Sequence, residues 1–136
     1  MIKNKNLLAV LLLAVTLAIG CQSLGGNKTA ETIETALKDP KSSVSYQFEA
    51  LKAGEFEKLK SCFTDRLRDR VIKEDVEKAK TKLSEAKMTL DDLYQSVEMG
   101  EYQGKKTAKV KMKNGRTLTT LVETDGKWLS DTIWYQ

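Results

Sequence analysis

TAKVKMKNGRTLTTLVETDGKWLSDTIW, residues 107–134, decides the fold. Ala108, Val110 and Met112 alternate with Lys109, Lys111 and Lys113, the period of two that marks a half-buried strand. Asn114-Gly115 and Asp125-Gly126 are hairpin signals, because a type I′ turn needs positive φ at both central residues. Between them Leu118, Thr120 and Val122 alternate in a further strand, and Trp128 to Tyr135 reads as the last one. Upstream, Leu93, Val97 and Met99 share one parity of a first strand. Residues 101–105, which include Gly104, join it to the second.

Ahead of this meander the apolar period is that of a helix. Ile33 and Leu37 recur at i, i+4, and Asp39-Pro40 then supplies an N-cap and a first-turn proline. Val44, Phe48 and Leu51 mark one face of that second helix, and Gly54 closes it. Phe56, Leu59 and Phe63 repeat the pattern, Thr64 caps a turn carrying Leu67 and Val71, and Ile72, Val76, Ala79 and Leu83 form a last apolar stripe. Helices followed by strands imply an α+β fold, with N-terminal helices packed on a curved four-stranded antiparallel meander sheet.

The first 20 residues belong to a different class. Lys3 and Lys5 precede Leu7 to Ile19, 13 residues that are apolar except for Thr16. That suits the hydrophobic region of a signal peptide and falls short of the roughly 20 residues a spanning helix needs. Ala18 and Gly20 are small at the −3 and −1 positions of a cut after Gly20. Leu17-Ala18-Ile19-Gly20-Cys21 resembles the lipobox of bacterial lipoproteins, with Ala18 where leucine is most favoured. The resemblance implies a diacylglyceryl thioether on Cys21, a mature chain beginning there, and an anchor of two or three acyl chains, each buried methylene contributing about 0.8 kcal/mol. Gln22, rather than aspartate, follows that cysteine. In bacteria with two membranes, this implies the outer membrane facing the periplasm; otherwise it implies the outer face of the plasma membrane. Residues 21–29 read as a polar, glycine-bearing tether, and 30–136 as the folded domain.

Loss of Lys3 and Lys5 with the signal brings the formal charge of +4 close to balance, which removes support for a nucleic-acid partner. The chain has no histidine, so most zinc sites and every His-centred nucleophilic triad are excluded, and no metal or cofactor is expected. With Cys21 acylated, Cys62 has no partner for an intramolecular disulfide.

YQFEALKAGEFEKLKSCFTD, residues 46–65, resembles the helix–Gly-acid–helix opening of nuclear-transport-factor-2-like domains, in which an A-x-x-x-G-[DE]-[FY] phrase joins two helices around a curved sheet. Residues 107–134 resemble the closing hairpins of the same domains, including L-V-x-x-D-G-x-W. The likeness covers about residues 40–135 and implies a cone-shaped, cystatin-like fold, as in a family of secreted lipoproteins of unknown function. It implies no particular activity.

Several side-chain groups invite a functional reading, each against a plainer one. Phe48, Met112, Trp128 and Trp134 are candidates to line an apolar pocket in the cone; core packing is the plainer reading. Asp131, with Tyr94 or Tyr46 as hydrogen-bond donor, is the candidate general base of a cofactor-free isomerase or cyclase, since related folds include such enzymes; the plainer reading turns it to water. Cys62 is either an inert core residue or an exposed redox thiol. Lys105, Lys106, Lys109, Lys111, Lys113 and Arg116 make a basic strand region suited to anionic headgroups or to a solvated face. In TDRLRDR, residues 64–70, Asp65–Arg68 and Arg66–Asp69 are spaced for surface ion pairs. The expectation is a lipid-anchored envelope protein that binds a small apolar ligand or an envelope partner. An isomerase-like enzyme and a structural or inhibitory interaction module stand as alternatives.

Overall fold

A computed structural model describes residues 32–136. The signal segment 1–20, Cys21 and the tether 21–29 lie outside the described residues. Helix α1 (Ile33–Ala36) is a single turn, and α2 (Pro40–Ala53) is the central helix. Its start follows from the sequence: the Asp39 carboxylate accepts the Ser42 backbone N–H at 3.0 Å and Pro40 fills the first turn. Gly54 ends it in the left-handed region. Helices α3 (Phe56–Lys60) and α4 (Asp65–Arg68) are short, α5 (Lys73–Ala86) is long, and α6 (Leu90–Leu93) leads into the sheet. Thr64 precedes α4, but its side chain makes no capping bond. Ile72 precedes α5 and is 52% exposed; Val76 and Ala79 carry the buried stripe without it.

Strands β1 (Tyr94–Tyr102), β2 (Lys105–Met112), β3 (Thr117–Thr124) and β4 (Lys127–Ser130) form an antiparallel meander in the order β1-β2-β3-β4, giving an α+β fold. Leu93 closes α6 rather than opening β1. The inner face carries Ala108, Val110, Leu121 and Trp128, packed with Val44 of α2. On β3 Thr119 and Leu121 are the buried residues, while Thr120 and Val122 turn to the outer face. Val110 faces Thr119 and Lys111 faces Thr117, so Leu118 has no partner in the ladder and packs half-buried against the inner-face cluster.

Two of the turns match their residues closely. Asp125 and Gly126 both have positive φ, as a type I′ turn demands, and Gln103-Gly104 does the same between β1 and β2. Asn114-Gly115 is different. Only Gly115 has positive φ; its N–H donates to the Met112 carbonyl at 2.9 Å, and the Met112 N–H donates to the Arg116 carbonyl at 2.7 Å. The loop therefore has three residues, 113–115, with the glycine in the left-handed place.

The last strand stops at Ser130, five residues short of the expected end. Beyond it the chain leaves the ladder because its aromatic rings find partners on α2 and on the segment between α3 and α4. Trp134 stacks on Phe48 with 6.1 Å between ring centroids, and Tyr135 meets Phe63 edge-on at 6.2 Å. A second core cluster, formed by Leu51, Leu59, Phe63, Leu67, Val76 and Leu129 among others, joins the helices to this tail. Residues Ile33–Gln136 form one compact unit.

A buried polar chain sits between the two clusters. Gln47 of α2 accepts the Trp134 indole N–H at 2.8 Å and the Ser130 hydroxyl at 3.0 Å through one oxygen. Ser130 in turn meets Thr119 at 2.8 Å, and Thr119 meets Thr132 at 2.9 Å. These bonds allow fully buried Gln47, Ser130 and Thr119 to sit in a small core.

Candidate functional site

The groove lies on the face of the sheet turned away from α2. Alternation sends Gly100, Thr107, Val122 and Leu129 to that side, and the register sets them in one row across all four strands. Glu98, Lys109 and Thr120 form the neighbouring row. Thr64 and Arg66, brought alongside β4 by the start of α4, raise one wall, while Tyr102 and Lys105 raise the other at the β1–β2 turn. Two lobes of about 360 and 320 Å³ share Tyr102, Thr107, Val122 and Asp131. Each lies near the lower end of the roughly 300–1,000 Å³ usual for small-ligand sites.

Asp131 stands between the lobes. Its carboxylate accepts the Thr64 hydroxyl at 2.7 Å and pairs with Arg66 at 3.1 Å, while the same guanidinium donates to its backbone carbonyl at 2.9 Å. Its own N–H donates to Thr120 at 2.8 Å. The residue thus fastens α4 to the end of the sheet. Arg66 takes this long-range partner instead of Asp69, whereas Asp65–Arg68 forms as spaced, at 2.7 Å. Thr64, which the sequence casts as a helix cap, spends its hydroxyl on Asp131.

Neither proposed tyrosine lines the groove beside Asp131. The Tyr94 ring carries the Lys41 ammonium at 4.7 Å, and Tyr46 packs against the helical core. Tyr102 is the tyrosine in both lobes, 68% exposed. The four residues proposed for an apolar pocket are dispersed: Phe48 and Trp134 stack on each other, Trp128 packs with the inner face of the sheet, and Met112 is half-buried at the end of β2. Trp134 also borders a small apolar cleft with Leu83, Leu118 and Tyr135.

Cys62 is fully buried, its thiol directed at the Lys58 carbonyl, and burial pushes its pKa up to about 12. A thiol so placed is not a nucleophile at neutral pH. The basic strand is less basic than its sequence, because Lys109 faces Glu98 and Lys106 faces Glu101 across the β1–β2 ladder. Among the described residues no group of histidine, cysteine or acidic side chains has the arrangement of a metal site.

Tyr102, Thr107, Val122 and Arg66 were not singled out as site residues by the sequence. Thr107 and Lys109 do share the parity opposite Ala108 and Val110, which was the available signal for the outer face. Nothing local marks Arg66, whose partner is 65 positions away. No family model matches this chain, and no curated protein or solved structure is significantly similar to it.

Proposed function

We propose that this chain is a lipid-anchored cell-envelope protein whose domain, of the nuclear-transport-factor-2-like kind, binds a ligand or partner without catalysing a reaction. The observation that carries the reading is Leu17-Ala18-Ile19-Gly20-Cys21 after a basic start and a 13-residue apolar run. Acyl chains on Cys21 hold the domain at a bilayer, and tethering raises the effective concentration of its binding surface there. The outer sheet groove is the proposed surface, since it is open and lined by hydroxyls, one exposed aromatic ring and charges of both signs.

The surroundings of Asp131 weigh against the isomerase alternative. Thr64 and Arg66 both engage its Oδ1, and neither Tyr94 nor Tyr46 lines the groove beside it. That groove is open and carries charged side chains where a general base of that kind needs an apolar cup. The experiment is Cys21→Ala in the producing cell, followed by carbonate washing of membranes. The variant is expected in the soluble fraction and the wild type in the pellet; equal retention of both contradicts the anchor.

A further inference from the structure

The two edges of the sheet are treated differently. At β4 the chain covers its own edge: Phe63 bridges Ser130 in parallel, Ser130 N–H donates to the Cys62 carbonyl at 2.8 Å, and Thr64 N–H donates to the Ser130 carbonyl at 3.0 Å. Trp128 N–H donates to the Leu37 carbonyl at 2.7 Å. At β1 the outer edge has no such cover among the described residues, and β2 is its sole strand neighbour. The strand reads YQSVEMGEY over nine residues, with neither the lysine nor the proline that commonly blunts an open edge.

Two of the three large apolar side chains that stand exposed among the described residues are on this strand. They are Met99, 60% exposed, and Tyr102, 68% exposed, and their parity puts one on each face. Glu98 and Glu101 likewise fall on opposite faces. On the inner side of β1, strand β2 answers them with Lys109 and Lys106, a Lys-x-x-Lys spacing. No described residue takes the corresponding positions beyond the other edge. A second copy of β1 would bring glutamates and no cation to them.

We propose that the free edge of β1 accepts an extended segment of another polypeptide, with basic residues three apart opposite Glu98 and Glu101. Backbone hydrogen bonds along the edge would supply affinity, and the two glutamates would select for charge. This rests on the edge alone and holds whether or not Cys21 is acylated.

The probe is a capped synthetic peptide with the sequence of β2, KKTAKVKM, compared with a peptide in which its four lysines are glutamates. The full chain in detergent micelles is followed by hydrogen exchange and by anisotropy of labelled peptide. The basic peptide is expected to slow exchange at least tenfold within 95–102 and to bind at least tenfold tighter than the acidic one. In Glu98→Lys/Glu101→Lys, where both substituted side chains are exposed, the preference should invert. Equal binding of the two peptides by the wild type overturns the proposal without any variant. So does protection confined to other strands, or a free protein already dimeric with β1 protected.

Discussion

At Gly115 the backbone takes φ +86°, and a Cβ there would meet nothing within 4 Å. The penalty for a side chain is therefore conformational and not steric: about 1–2 kcal/mol for a residue that avoids the left-handed region. Asparagine tolerates that region better than a β-branched residue does. Gly115→Val should lower the melting temperature clearly and Gly115→Asn much less; equal melting of the two would contradict the assigned loop geometry. The glycine was legible in the sequence, but the turn type was not. An Asn-Gly pair fits a two-residue I′ turn and also the end of a three-residue loop, and only the 112–116 pairing distinguishes them. Asp131 shows the same limit at the site. Its neighbours Ser130 and Thr132 suggest a solvated strand end, whereas its real partners, Thr64 and Arg66, come from a helix far away in sequence.

Among the elements, α2 was the most readable, because cap, proline, apolar stripe and terminal glycine all agree on one helix. Strand β3 was the least readable. TLTTLVET carries apolar residues at both parities, and threonine suits either face of a sheet, so the sequence leaves open which set turns inward. Hydroxyl partners decide it, since Thr119 is buried against Ser130 and Thr132. The end of β4 was hidden for a related reason: aromatic alternation continues past Ser130, yet the rings pack on Phe48 and Phe63. The link between α2, β4 and the tail is Gln47. Gln47→Leu adds apolar volume but leaves the Trp134 indole N–H and the Ser130 hydroxyl without their acceptor. It should cost about 1–3 kcal/mol in urea unfolding. A neutral or stabilising result would show that the polar chain is dispensable.

For the whole molecule, stability should depend on alkaline pH. Burial raises the Cys62 thiol from 9.0 to about 12, and burial together with Asp75 raises the Tyr135 hydroxyl from 10.0 to about 12. Both groups stay protonated in the folded chain while the unfolded chain ionises. Their contribution is intact below about pH 9 and declines as pH climbs toward 12. The Cys62 share of the slope approaches about 1.4 kcal/mol per pH unit once the unfolded thiol is fully ionised. Urea unfolding between pH 8 and pH 11 should therefore show a shallower decline for Cys62→Ala than for the wild type, whatever the absolute loss from the smaller side chain. Parallel declines would contradict the buried-thiol description.

Among the described residues the domain covers one sheet edge, leaves the other without a strand partner and opens a mixed-charge groove on the outer face, the features on which the proposed binding role rests. Its place of work depends on the chemistry at Cys21. Intact-mass analysis of protein taken from the producing cell reads that chemistry directly. A chain starting at Cys21 and carrying the mass of a diacylglyceryl group is expected; a chain retaining Met1, or an unmodified thiol at residue 21, would contradict it.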